Sequence, residues 1–390
     1  MSDGLREMGA DPLSALPQSC DVLIIGAGIT GALVADALSN HGLSVVVLDR
    51  RAPACGSTAA STSLLSYEID VGLVDLSRMR GEENAVRAYQ LSIGAIDDLA
   101  QIAQSLADHS GFARCPSVCL ATQRRDRRKL EQEAERRQRY GLDAVYWTAN
   151  EVEQRYGFPS HGAIYTNTAG VMDPVRFTRA LLDRATGRGA KLLARTPARD
   201  VRQEASSLTV VTDRGEIRAG WVVYAMGYEI PAALRPEMVA VHSTYALVTE
   251  PLEDLGPWDG ACIVWETGRP YFYMRATADR RVMIGGADAP FKNPAWRDRL
   301  MPGRTARLEE RIKEWLPTIA FETAFVWAGT FAESPDGLPY IGPMPGCPQA
   351  LYALGYGANG ITFGSVAAKI VTDLCLGRPN SDAQLFRLDR

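Results

Sequence analysis

At 390 residues, with 46% hydrophobic and 23% charged residues, the chain is long enough to bury a large core and make two domains, one of them discontinuous. A formal charge of −4 gives no basis for nucleic acid or an anionic membrane as partner, and no apolar run approaches the ~18 residues a membrane span needs. The seven cysteines are scattered, without a CxxC pair; even Cys115 and Cys119 lack a nearby His or Cys cluster, so reduced thiols, no metal and a cytoplasmic location are expected.

Residues 1–19 are polar, include two prolines and lack an apolar core, and read as a flexible lead-in. From Cys20 to Asp49 the chain spells strand, glycine turn, helix, strand, acid. Val22 to Ile25 is a β-branched run suited to a buried parallel strand. Gly26, Gly28 and Gly31 follow with GxGxxG spacing, for a tight turn, close approach of backbone to a pyrophosphate, and helix-on-strand packing. The next helix points its N–H groups at that phosphate. After the strand Leu43 to Leu48, Asp49 is placed to accept from both ribose hydroxyls, and it would repel a 2′-phosphate. The pattern predicts an ADP-containing dinucleotide, FAD or NAD.

Residues 56–65, GSTAASTSLL, are too small and hydroxyl-rich to fill a core and suit contact with phosphate and ribityl oxygens. Residues 82–107 have helical periodicity, and residues 124–140 mix Arg and Glu as an exposed helix does. GVMDP opens a helix with Asp173 as N-cap and Pro174 at its first position, ended by Gly189 and followed by a strand from Lys191. Leu208–Thr212 and Glu216–Ala219 form a hairpin, and Trp221–Ala225 a separate buried strand leading to Gly227, beside which a cofactor can pass. Residues 239–287 are β-rich and aromatic, predicting an antiparallel sheet, with a helix near 305–315. GTFAESPDGLPYIG and GYGANGIT then precede a helix from Phe363, offering N–H groups to an electron-rich ligand atom.

In this order GAGITG with Asp49, GSTAAS, GVMDP and SPDGLPYIG…GYGANGIT resemble the D-amino-acid oxidase superfamily of FAD-dependent oxidoreductases, nearest its glycine oxidase, sarcosine oxidase and D-amino-acid dehydrogenase branches. The resemblance spans Cys20 to about Arg378. It implies an α/β fold: a doubly wound, Rossmann-like FAD domain from 20–90, 160–235 and 325–390, and a substrate domain with a large antiparallel sheet from 91–159 and 236–324. FAD contacts would fall on Gly26, Gly28, Ile29, Thr30, Gly31, Asp49 and Arg50, then on Ser57, Thr58, Thr62, Ser63 and Leu64. Ala198 would touch adenine, Gly227 and Gly329 would flank the cofactor, and Tyr356, Gly357, Ala358, Asn359, Gly360, Ile361 and Thr362 would hold the isoalloxazine. The implied chemistry is oxidation of a C–N bond in a small amine-type substrate by hydride transfer to flavin N5, with oxygen or a quinone or other carrier as electron acceptor.

Three departures shape this expectation. Gly329 stands where covalent members carry the flavin-linking cysteine, so FAD is expected to be non-covalent. Phe331 stands where amino-acid members place a carboxylate-clamping arginine, and Ala358 where a basic residue is common. A small α-amino acid bound through the usual clamp is therefore disfavoured, unless Arg275 replaces it. Tyr245 and Tyr273 are the candidate pocket hydroxyls, Glu333 the candidate partner for a substrate ammonium, and His242 a weak candidate base. Two alternatives stay open: a flavoprotein with a binding or assembly role, and an FAD dehydrogenase of a hydroxyl-bearing carbon.

Overall fold

The computed structural model describes residues 15–107, 110–229 and 238–390, so most of the expected lead-in lies outside the described residues. Strand β1 (Ser19–Ile25) is central to the first sheet, parallel to β2 (Val45–Leu48) on one side and to β10 (Gly215–Tyr224) on the other. Beyond β2 lies β7 (Lys191–Leu193); beyond β10 lies β17 (Cys347–Leu354), and β16 (Tyr340–Met344) closes that edge antiparallel. Alternation along β1 divides its side chains between two layers. Val22 and Ile24 meet the helices α1 (Ile29–Ser39), α7 (Pro174–Gly187) and α9 (Gly360–Cys375). Leu23 and Ile25 meet the ribbon of β8 (Ala198–Gln203) and β9 (Leu208–Thr212), which pairs with β10.

Asp173 caps α7 by accepting from the Val175 and Arg176 N–H groups at 2.9 and 3.0 Å, with Pro174 at the first position. The predicted strands Glu216–Ala219 and Trp221–Ala225 are one continuous strand, β10. Gly220 joins them because a Cβ there would meet the Asp21 carbonyl oxygen at 2.9 Å. The helix expected near 305–315 begins at Pro294, where Asn293 supplies a cap and Pro294 a first-position residue; this is α8 (Pro294–Trp315).

The second sheet runs β15 (Thr323–Glu333), β11 (Ala240–Thr249), β14 (Val282–Pro290), β13 (Phe272–Ala276), β12 (Ile263–Glu266), β4 (Ala113–Leu120), β6 (Ala163–Val171), β3 (Leu64–Ser66), with β5 (Val145–Trp147) also on β6. It contains β3 and β6, from segments expected to belong to the nucleotide layer, and β15, which straddles position 325, so this sheet draws strands from both sides of the expected boundaries.

Helix α5 (Asp126–Arg139) presents the expected solvated face, with Arg127, Arg128 and Arg139 exposed, and departs from it at Arg137. Its Arg137, 3% exposed, lies over the rings of Tyr67 and Tyr89 and donates to Glu133 at 2.9 Å. Glu133 in turn accepts from the Leu73 and Val74 N–H groups, capping α3 (Leu73–Arg80). Among the described residues no helix is long and apolar enough to cross a membrane, and no cluster of His, Cys, Asp and Glu could hold a metal.

Candidate functional site

A cavity of about 460 Å³ opens between the two sheets, beyond the C-terminal ends of β1, β2 and β10. The glycine turn that enters it is sterically enforced. Gly26 is left-handed at φ +116°, and a Cβ there would lie 2.3 Å from the Ala225 carbonyl oxygen. A Cβ on Gly31 would lie 1.9 Å from the Gly26 carbonyl oxygen, so Gly31 sits beneath the turn rather than on the cavity wall. Gly28, Ile29 and Thr30 line the wall, and the Thr58 hydroxyl accepts from the Ile29 N–H at 3.0 Å. Asp49 accepts from the N–H groups of Ala27 and Arg51, both at 2.8 Å, which aims its remaining lone pairs at the cavity. Arg50 lines the same end but donates to Glu229, as does Arg51, at 3.2 Å. Glu229 carries no sequence signature that could have marked it. Ala198 lines this end beside Thr196 and Pro197.

Ser57, Thr58, Thr62, Ser63 and Leu64 form the middle wall, opposite Gly227. Ser63 is left-handed at φ +54°, 1% exposed, and its Oγ has no partner. Gly329, Phe331 and Tyr356 through Ile361 line the far end, where α9 presents its N-terminus with no acidic side chain in its first turn. Thr362 turns away, donating to the Ser66 carbonyl at 3.1 Å. The glycine cradle, the oriented Asp49, the orphaned Ser63 hydroxyl and the α9 terminus fit FAD from ribose to isoalloxazine.

The expected substrate residues divide. Tyr273 lines the far chamber, its phenol pushed up to about 12 by burial, with Asp288 reinforcing. Tyr245 is a core residue, 1% exposed, donating to the Arg297 carbonyl at 3.1 Å. Glu333 lies off the wall with His242 Nε2 at 3.7 Å, its carboxyl raised by burial and then by Asp70. Arg275 also lies off the wall: its Nε donates to the Thr62 carbonyl at 2.6 Å and its Nη1 to the Ala276 carbonyl at 3.1 Å. In this geometry it is not a carboxylate clamp.

Sequence reasoning missed Glu68, Asp70, Trp265, Tyr271 and Asp288, which share this chamber with Tyr273. Asp70 accepts from the Ala358 N–H at 3.1 Å. Asp288 Oδ1 is buried without a partner; burial, with Asp70 and Glu333 adding to it and Thr244 and Arg269 opposing, pushes the carboxyl up to about 6. The signal available was period-two alternation along β14, which turns Asp288 to the cavity while Ala287 packs in the core. Among the described lining residues the cations are Arg50, Arg51 and Arg199, all at the Asp49 end, and the charges of the far chamber are carboxylates.

A glycine oxidase of Bacillus licheniformis is 26% identical over 369 residues, covering 92% of this chain and 94% of that protein. A gamma-glutamylputrescine oxidoreductase of Escherichia coli (strain K12) is 23% identical, covering 96% of this chain and 87% of its own. The crystal structure of glycine oxidase from Geobacillus kaustophilus superposes with a TM-score of 0.81 at 21% identity, over 96% of this chain and 99% of the other, which establishes the shared fold. The model of the family described as FAD dependent oxidoreductase matches residues 21–374. With that match over most of its length, the chain belongs to the FAD dependent oxidoreductase family, and its cofactor is FAD.

Proposed function

We propose that this enzyme oxidises the C–N bond of an amine that carries no α-carboxylate, using FAD held without a covalent link. The observation that carries this reading is the charge on the wall of the far chamber: Glu68, Asp70 and Asp288 line it and no cation does among the described residues, Arg137 standing behind Glu68 and Arg269 over the Tyr271 ring. A substrate carboxylate in that space would be buried unpaired beside like charges, at a cost of several kcal/mol. An ammonium gains from the same field. No Cys or His lines the cavity among the described residues, and a side chain at Gly329 would meet Thr244 and Ala60, which supports non-covalent flavin.

FAD held along Gly26 to Thr30, Ser57 to Leu64 and Tyr356 to Ile361 would supply the acceptor for a hydride from the amine carbon. The protein's own part is to bind, orient and deprotonate. Tyr271, Tyr273 and Trp265 supply apolar walls that exclude water from the reacting carbon. Asp288, titrating near neutrality, can draw in the ammonium and take its proton, leaving the neutral amine whose carbon is the better hydride donor. Seven unpaired cysteines fit a reducing, cytoplasmic setting.

The test is anaerobic mixing of the holoprotein with butylamine, putrescine, benzylamine, sarcosine and glycine. Bleaching of the flavin by the first three supports the reading; bleaching by sarcosine and glycine alone overturns it. Re-oxidation of the bleached protein in air, against a quinone, separates dioxygen from a carrier as acceptor.

A further inference from the structure

Arg275 and Tyr273 alternate along β13, so both side chains leave the same face of the strand. Tyr273 reaches the cavity wall, whereas Arg275 stops behind it. There the guanidinium meets two carbonyls, Thr62 at 2.6 Å and Ala276 at 3.1 Å, and has no carboxylate within ion-pair distance among the described residues. Burial lowers its proton affinity, with Cys115 and Asp173 acting the other way. A buried cation paired only with carbonyls is costly to keep, so a compensating negative charge nearby stabilises it.

The segment it grips is the strained one. Thr62 and Ser63 both line the cavity, and Ser63 holds a left-handed backbone that a residue with a Cβ disfavours. Its Oγ is buried without a partner. The same segment faces β15: a Cβ on Gly329 would lie 3.7 Å from Ala60, and the Ala60 carbonyl accepts from Trp327 Nε1 at 2.9 Å. Thus Arg275 stands one residue behind the wall that faces the flavin, at a site where Phe331 and Ala358 offer no positive charge.

We infer that Arg275 is a positioning residue for the cofactor: by holding the Thr62 carbonyl it keeps Ser63 in the left-handed turn with its hydroxyl free for FAD, and its charge favours electron-rich flavin. The inference rests on FAD as cofactor, independently of which substrate is oxidised.

Sulfite tests it, because it adds to oxidised flavin without a substrate and the adduct is stabilised by positive charge nearby. The holoprotein is titrated with sulfite, and its FAD dissociation constant is measured. Arg275→Met is expected to weaken sulfite binding by about tenfold. Arg275→Lys keeps the charge and is expected to hold sulfite near the wild-type value while binding FAD less tightly. In a Ser63→Gly background, where the hydroxyl is absent throughout, Arg275→Lys is expected to cost far less FAD affinity than it does with Ser63 present, because glycine adopts the left-handed turn without a clamp. A purely structural Arg275 would leave the sulfite affinity of the FAD-loaded fraction unchanged in Arg275→Met, and that result overturns the charge role. If Arg275→Met does not fold, a sulfite affinity in Arg275→Lys reduced as far as tenfold overturns it equally. An equal cost of Arg275→Lys to FAD affinity in the Ser63 and Ser63→Gly backgrounds overturns the positioning role. An amine panel that bleaches nothing would sink the proposed substrate and leave these readouts intact.

Discussion

Glu68, on the cavity wall, and Arg137, on α5, stand 3.7 Å apart with side chains 1% and 3% exposed. Arg137 is also the countercharge for Glu133, so one guanidinium serves two buried carboxylates. Arg137→Met strands both acids and is expected to destabilise the fold by about 3–5 kcal/mol. Urea unfolding of the holoprotein measures this. Arg137→Lys keeps a charge but loses the fork and the stacking on Tyr67 and Tyr89, and should fall between the two.

Asp288 predicts the acid limb of amine oxidation. Its carboxyl is protonated below about 6 and ionised above, and only the ionised form attracts the ammonium or takes its proton. Flavin reduction at low amine concentration should therefore rise with pH through about 6. Asp288→Asn is expected to remove that limb and slow reduction by about 10²–10⁴-fold. A limb that persists in stopped-flow records of Asp288→Asn would exclude Asp288 as its source.

Glu266 predicts a pH effect on stability instead. It is 3% exposed, and burial pushes its carboxyl up to about 7 against the pull of Arg311 at 3.3 Å. The folded chain thus holds a proton that the unfolded chain releases near the ordinary carboxylate value. This favourable contribution is complete below that value and is lost as pH rises through about 7. The melting temperature should fall between pH 5 and 8, and Glu266→Gln should flatten the fall.

The glycine turn predicts graded loss of FAD. Gly31→Ala forces a Cβ into the Gly26 carbonyl, a backbone atom that cannot step aside, and the purified protein should be colourless. Gly28→Ala meets only the Thr58 hydroxyl at 3.1 Å within the protein, so it should fold, but its methyl stands on the cavity wall where the backbone must approach the pyrophosphate and should weaken FAD binding. The ratio of flavin to protein absorbance reads both.

These contrasts track what was legible in the sequence. The GAGITG turn and the Asp173 cap are made by residues within a few positions of one another, so local spacing carried them. Arg137 was misread because its i,i+4 pairing with Glu133 looks the same in water as in a core; only Tyr67 and Tyr89, from distant segments, bury it. Arg275 was proposed as a clamp because it lies on the strand of Tyr273. Its actual acceptor, Thr62, arrives from the far end of the chain, and a hydrogen bond of that separation has no sequence period. Asp288 and Asp70 were passed over for the same reason, since their shared chamber exists only once β14 and the loop after β3 face each other.

Strands β3, β6 and β15 leave the nucleotide layer and finish as rungs of the other sheet. Neither half can be excised intact, because cutting the chain anywhere between them robs one sheet of its members. Limited proteolysis should accordingly yield nicked, still-associated molecules and no free-standing fragment, and the flavin should depart only when both layers melt in a single step.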